Sequence, residues 1–319
     1  MSNLRLCPSC DKLSFDKPVL NSKKANWLKE FNFVQDFIKN TPLEAHEEKA
    51  YNIKKEVDIG IKNKNKFVLY WGSESNKFDN FKIKDAKTAY GEFKNYGVAE
   101  INDEGKIIIL LRTPQIYTDE NDKEEKEIFF RHFHYVLSNS KNTEWDADNV
   151  YTQLLLGYYS FYNLNNAIKS KKVVVLNTLS PEYYGLEHIP FTWNLPTDKV
   201  LKMTEKEVDI FIKTIIELNY PLIKKEIDEE NNFNIKCVPI IVYCENEQCN
   251  LSHLCAKKLT EMGFNNISTF PAGMEKYRDS NSKNSNFKLL NNFNSKFKKS
   301  IGRKRNTPRK FSSKKKDYE

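Results

Sequence analysis

Apolar and polar positions change rhythm three times along this chain. Trp27, Leu28, Phe31, Val34 and Ile38 recur at helical spacing, which predicts one apolar helix face, and Asn40-Thr41-Pro42 stops the run. From residue 57 to 157 the pattern becomes strand-like, with short apolar runs at Phe67–Trp71, 98–101, Lys106–Leu111, 129–137 and 150–156. Asn102-Asp103-Glu104-Gly105 reads as a hairpin turn between two of these runs. Several strands without intervening helices predict a β-sandwich. From 160 to 278 strand-like Val173-Val174-Val175-Leu176 and Ile240–Tyr243 alternate with helical stretches. Thr204 and Glu207 have capping-box spacing, followed by an apolar face of Val208, Phe211, Ile212 and Ile215. This part predicts an α/β arrangement.

The expected organisation is therefore multidomain. It comprises a helical N-terminal segment with a Cys-x-x-Cys over 1–50, a β-sandwich over 51–158, an α/β domain over 159–278 and a basic tail over 279–319. Charge sharpens that last boundary. The tail carries 13 Lys or Arg against 3 acidic residues, so the formal +8 of the 319-residue chain is concentrated there and the body is slightly acidic. Phe287, Leu290, Phe293, Phe297 and Ile301 recur at helical spacing within it. Beyond Gly302, the residues Arg303, Lys304, Arg305, Arg309, Lys310, Lys314, Lys315 and Lys316 predict a disordered basic arm. Such an arm suits nucleic acid or another polyanion, or serves only as a solvated tail.

Composition excludes some classes. Phe 21, Tyr 16 and Trp 4 supply core material that disordered chains lack. The apolar runs are too short to span a bilayer, and Met1–Cys7 has no apolar signal region, so a cytoplasmic protein without a transmembrane segment is expected. Six cysteines in a chain of this length indicate a reducing compartment rather than a disulfide scaffold. Ten glycines and no Gly-rich phosphate loop argue against nucleotide chemistry.

Two stretches carry a family resemblance. The first runs from Val173 through Asn177, Ser180-Pro181-Glu182-Tyr183-Tyr184 and His188-Ile189-Pro190 to Asn194-Leu195-Pro196. The second runs from Pro239 through Cys244 to Gly263-Phe264-Asn265-Asn266-Ile267 and Ala272-Gly273-Met274. Together they resemble the rhodanese-like domain, over roughly a third of the chain. The resemblance implies a strand–cysteine–loop–helix unit with Cys244 as nucleophile. In that family the thiolate carries sulfur as a persulfide from a small sulfur donor to a thiol acceptor, and loop amides cradle the anionic sulfur. It implies an active loop of Glu245, Asn246, Glu247, Gln248, Cys249, Asn250 and Ser252. The sequence departs from the family at Asn177, where Asp is usual, at Leu179, where Arg is usual, and in the two loop carboxylates, which raise a thiol pKa and repel anionic donors. A phosphatase variant needs Arg at the sixth position after the cysteine. That position is Asn250, which excludes it. Cys249 predicts a different chemistry, a resolving thiol that closes a disulfide with Cys244. Cys255 falls on the helix face with Leu251, Leu259 and Met262, and Cys237 has no visible partner.

Two further constellations suggest metals. Cys7 and Cys10 have the spacing of half a zinc knuckle. His132 and His134 lie at i and i+2 on a predicted strand and so share a face that can chelate zinc or iron. With Pro114-Gln115-Ile116-Tyr117 upstream, this stretch is similar to the intradiol dioxygenases, whose β-sandwich binds iron through two Tyr and a His-x-His pair. The likeness nominates Tyr90 and Tyr117 as the phenolates. Two plain histidines on a sandwich face fit the same pattern. No cofactor is required for the thiol chemistry.

Two functional expectations follow. The first is a sulfurtransferase or thiol-redox protein using Cys244 and Cys249. The alternative is a catalytically inactive rhodanese-like binding or structural protein whose tail docks to a polyanion. The Lys/Asn-rich arrangement resembles rhodanese-domain proteins of large DNA viruses, which implies host cytoplasm or virion if the source is viral.

Overall fold

The parallel sheet that carries the candidate nucleophile is built from runs with no polar alternation. Val173, Val174, Val175 and Leu176, and likewise Ile240 to Tyr243, are all buried. Continuous apolar runs are what a strand covered on both faces requires, and each such side chain contributes about 1.5–3 kcal/mol on burial. The structure, a computed structural model, describes residues 5–6, 13–20, 32–76, 82–120, 126–229 and 233–282. Cys7, Cys10, Trp27, Leu28, Phe31 and the basic arm from Arg303 to Lys316 lie outside these residues. Residues Met1–Met274 form one compact unit and Glu275–Glu319 a second.

The strands are, in chain order, β1 Arg5–Leu6, β2 Val19–Leu20, β3 Ile53–Asp58, β4 Phe67–Trp71, β5 Lys84–Asp85, β6 Tyr96–Glu100, β7 Lys106–Leu111, β8 Tyr117–Glu120, β9 Lys126–Phe129, β10 His132–Leu137, β11 Tyr151–Leu154, β12 Gly157–Tyr158, β13 Val174–Asn177, β14 Trp193–Asn194, β15 Ile240–Tyr243 and β16 Ile267–Thr269. Antiparallel pairing gives a sheet of order β2-β11-β10-β4-β6. Strands β3 and β7 form a separate antiparallel ribbon, and β1-β9-β8-β5 a mixed sheet. The parallel sheet has the order β12-β16-β15-β13-β14, with every pair parallel.

A sandwich of two sheets is not what the strand faces produce. On β4 and β10 side chains alternate between two buried cores. Val68, Tyr70, Phe133 and Tyr135 meet Ile53, Val57, Ile107 and Ile109 of the β3–β7 ribbon. Leu69, Trp71 and Val136 meet Val34, Ile38, Tyr90, Tyr117 and Phe129 on the opposite face. With both faces apolar, the central sheet needs a layer on each side. The predicted turn at Asn102–Gly105 is present, with Gly105 donating to the Asn102 carbonyl at 2.9 Å. Its strands then part, β6 pairing with β4 and β7 with β3. Gly105 has φ +80° and its Cα faces the Gly60–Ile61 backbone, where no side chain fits.

The predicted 129–137 strand breaks at Phe130-Arg131 into β9 and β10, which belong to different sheets. The boundary expected at 158 falls inside the first unit, because β12 is a strand of the parallel sheet. The capping box forms as the spacing predicts, with Thr204 N–H donating to Glu207 Oε2 at 2.8 Å ahead of the helix Glu205–Asn219. That helix buries Val208, Ile212, Ile215 and Ile216. No helix among the described residues is long and apolar enough to cross a membrane.

Candidate active site

Cys244 follows the middle strand β15, at the carboxyl end of the parallel sheet, where ligands of open α/β folds bind. The chain then turns through 245–250 into the helix Leu251–Glu261. This is the strand–cysteine–loop–helix order expected from the sequence. The turn is pinned from two sides. Thr178 Oγ1 donates to the Tyr243 carbonyl at 3.0 Å, and Met274 N–H donates to the Cys244 carbonyl at 3.0 Å. Gly273 makes the second contact possible. It sits at φ +55°, and a Cβ there would strike the Cys244 and Glu245 carbonyls. Gly273→Ala is therefore expected to displace the cysteine loop and destabilise the fold by about 1–3 kcal/mol, with a higher alkylation rate at Cys244. Denaturant unfolding and thiol labelling check both.

The sulfur itself is sealed. Cys244 is fully buried. Its Sγ lies 3.1 Å from the Cys249 carbonyl oxygen, 3.8 Å from the Asn246 carbonyl oxygen and 3.3 Å from Ser252 Oγ. The expected cradle of loop amides is thus replaced, in this conformation, by two carbonyls that accept from a thiol and repel a thiolate. Ser252 opposes them, since its hydroxyl and backbone N–H favour the anion. Burial dominates and pushes the Cys244 thiol up to about 11, helped by the Cys249 thiol. Such a thiol is about a hundredfold less ionised at pH 8 than one of ordinary pKa near 9. Alkylation of native Cys244 by iodoacetamide should accordingly rise about tenfold per pH unit from pH 7 to 10. A rate already level by pH 9 would contradict the burial.

The predicted partners separate into those gathered and those not. Cys249 is half-buried, with its carbonyl 3.1 Å from Cys244 Sγ and its thiol among the groups that raise the Cys244 pKa. Ser252 joins them. Glu247 is exposed on the loop and lies near Tyr158, whose pKa burial and that carboxylate raise. Asn250 precedes the helix without a capping bond from its side chain. Asn177 is buried and accepts from Leu179 N–H at 2.9 Å, the turn role its position in the motif implies. His188 is exposed, with Nδ1 2.9 Å from the Tyr184 carbonyl. His253 turns towards Phe15 and Lys257 instead of the thiols. Cys255 is core, its thiol pushed up to about 12 by burial. Cys237 finds Asn234 Oδ1 at 3.6 Å and Asn265 Nδ2 at 3.9 Å.

A second cluster lies in the β region. His132 Nε2 is 3.0 Å from Tyr117 Oη and 3.3 Å from Tyr90 Oη. Tyr90 Oη is 3.0 Å from His134 Nε2 and 3.2 Å from Tyr117 Oη. The outer ring nitrogens are held as well, His132 Nδ1 at 2.6 Å from the Phe130 carbonyl and His134 Nδ1 at 2.7 Å from Thr152 Oγ1. All four side chains are buried. Burial lowers the His132 pKa to about 4, and burial plus the neighbouring ring lowers that of His134 well below its ordinary value. Burial thus favours the neutral form of both imidazoles. The two nominated tyrosines thus meet the two histidines, Tyr117 from β8 and Tyr90 from the short helix Ala86–Tyr90. Among the described residues no group of three or more His, Cys, Asp or Glu gathers. His46 stacks on Tyr96 at 4.6 Å, away from this cluster.

No family model matches this chain, and no curated protein does. Among solved structures it is similar to an uncharacterized protein from Saccharomyces cerevisiae at 20% identity, covering 40% of this chain and 94% of that one, with a TM-score of 0.29. It is also similar to the S. cerevisiae single-domain sulfurtransferase RDL2, at 13% identity over 41% of this chain and 94% of that one, TM-score 0.29. The human single-domain sulfurtransferase TSTD1 matches at 13% identity over 38% of this chain and 95% of that one, TM-score 0.26.

Proposed function

We propose that this protein is a thiol-based sulfur carrier in which Cys244 accepts a sulfane sulfur and Cys249 resolves it. The observation that carries this reading is the placing of two cysteines within one short loop at the carboxyl end of the central parallel strand, with the Cys249 carbonyl 3.1 Å from Cys244 Sγ. In the first step the Cys244 thiolate attacks the outer sulfur of a persulfide or polysulfide donor. An S–S bond forms to Cys244, the donor's S–S bond breaks, and the remainder leaves as a thiolate. In the second step either an external thiolate removes the terminal sulfur, or the Cys249 thiolate attacks Cys244 Sγ. The latter closes the Cys244–Cys249 disulfide and expels hydrosulfide, and a thiol reductant then restores both cysteines. Opening of residues 245–250 precedes the chemistry, since the closed loop faces the sulfur with carbonyls. The acidic loop favours neutral or weakly charged donors over thiosulfate. The test is peptide mass spectrometry on reduced protein treated with a polysulfide and, separately, with thiosulfate. Added sulfur on Cys244 supports the reading, and an inert Cys244 in folded protein with both donors overturns it.

A second reading concerns the β region and rests on the four converging donor atoms. We propose that His132, His134, Tyr90 and Tyr117 hold a metal ion, zinc or iron. The fit is geometric. Ligand bonds of about 2.0–2.1 Å in a tetrahedral site place the donors about 3.3–3.4 Å apart, and four of the six donor pairs lie 3.0 to 3.3 Å apart. The outer nitrogens held by Phe130 and Thr152 orient both imidazoles inward, as ligating histidines require. Four protein donors around one ion make a closed site, which suits a structural role.

A further inference from the structure

Arg131, the residue that breaks the β9–β10 run, is buried at 6% exposure. Its guanidinium donates to the Pro114 carbonyl at 2.7 Å, to the Ile267 carbonyl and to Asn266 Oδ1 at 2.8 Å. All three acceptors are neutral, and no carboxylate among the described residues faces the charge. A guanidinium has five N–H groups, so two stay unused. A buried charge without a counter-charge is unfavourable. Arg131 opens onto a cavity of about 70 Å³, lined also by Lys82, Tyr159, Gln115 and Ser268, with no Asp or Glu among its described lining residues. That volume holds roughly five waters. Tyr159 lies within electrostatic reach of the guanidinium. Pro239 and Asn266, which also line the cavity, precede β15 and β16. The cavity therefore lies at the amino ends of the parallel strands, whereas Cys244 follows the carboxyl end of β15.

We propose that this cavity binds a small inorganic oxyanion, of the size and charge of sulfate or phosphate. The anion supplies the counter-charge that Arg131 lacks. Its three or four oxygens accept from the unused guanidinium N–H groups and from the Tyr159 and Ser268 hydroxyls. The site is independent of the thiol loop. Because Arg131 also anchors the backbone of β16, occupancy tightens the seam between the β region and the parallel sheet.

The experiment uses the full chain, with isothermal titration of sulfate and phosphate at constant ionic strength, and sodium chloride and sodium acetate as controls. Saturable binding of one oxyanion per chain is expected, with a matching rise in Tm. Tyr159→Phe combined with Ser268→Ala keeps the shape and should weaken binding at least about tenfold, since each change removes a hydrogen bond to a charged group. Arg131→Met should abolish it. That variant also loses a structural anchor, so the double variant carries the test. No saturable binding, an equal response to chloride or acetate, or unchanged affinity in the double variant would each overturn the proposal. The last result would transfer binding to other basic groups such as the tail.

Discussion

Cys244→Ser should reduce sulfur uptake from a polysulfide by at least about a thousandfold, because a serine hydroxyl at neutral pH replaces the only group that attacks the donor. The substitution nearly conserves volume, so folding should change by no more than about 1 kcal/mol. Cys249→Ser should behave differently. It leaves the attacking sulfur in place and removes the group that closes the disulfide, so a Cys244 persulfide accumulates and hydrosulfide release stops. Because the Cys249 thiol is among the causes that raise the Cys244 pKa, this variant should also react slightly faster at its first step. Time-resolved mass spectrometry of the two variants beside the native chain checks the scheme. An inactive binding module predicts that all three behave alike. A disulfide that forms in Cys249→Ser, through Cys237 or Cys255, would contradict the assignment as well, since both of those thiols are buried in the core.

The parts of the fold legible in the sequence are those whose cause is local. The runs ending at Leu176 and Tyr243 announce themselves because a strand covered on both faces has no polar position to interrupt it. Thr204 and Glu207 form their box because three residues of spacing determine the contact. Gly105 marks its turn because a positive φ selects glycine. Partnering was not legible. β6 and β7 flank one turn yet join different sheets, a choice made by the cores on either face of β4 rather than by the turn. The cysteine loop was legible in order and illegible in detail, since nothing local dictates that the Asn246 and Cys249 carbonyls face the sulfur. The role of Arg131 is not legible locally, because alternation on a strand places it on a face with Phe133 and Tyr135 and says nothing of its acceptors. Its burial depends on acceptors from the Asn266–Ile267 corner, more than a hundred residues away in sequence. The His-x-His pair was visible by its spacing. Tyr90 was reached only by likeness, because it arrives from a five-residue helix.

If the cluster of His132, His134, Tyr90 and Tyr117 holds a metal, Tyr90→Phe should cost far more than a hydrogen bond. Tyr90 Oη is central, touching Tyr117, His132 and His134 within 3.3 Å. In a metal-free network its loss removes three of the four contacts and costs about 1–3 kcal/mol, with the Tyr117–His132 contact left. In a metal site it removes one of four donors and an anionic charge, so retention after dialysis should fall at least about a hundredfold. Stabilisation by an ion present a thousandfold above its Kd is about 4 kcal/mol. For a chain of this size that corresponds to a Tm about 10 °C lower in the variant or after chelation. Elemental analysis of the purified full chain identifies the ion, and a visible phenolate absorption distinguishes iron(III) from zinc. His134→Gln tests the same site from the opposite side, because it keeps the neighbourhood of Thr152 while replacing the inward nitrogen. Native protein with no bound metal, no Tm rise on adding zinc or iron, and a Tyr90→Phe cost of no more than about 3 kcal/mol would together reduce the cluster to a buried hydrogen-bond network. Cys244 chemistry would be untouched by that result, since the thiol loop and the cluster belong to different sheets.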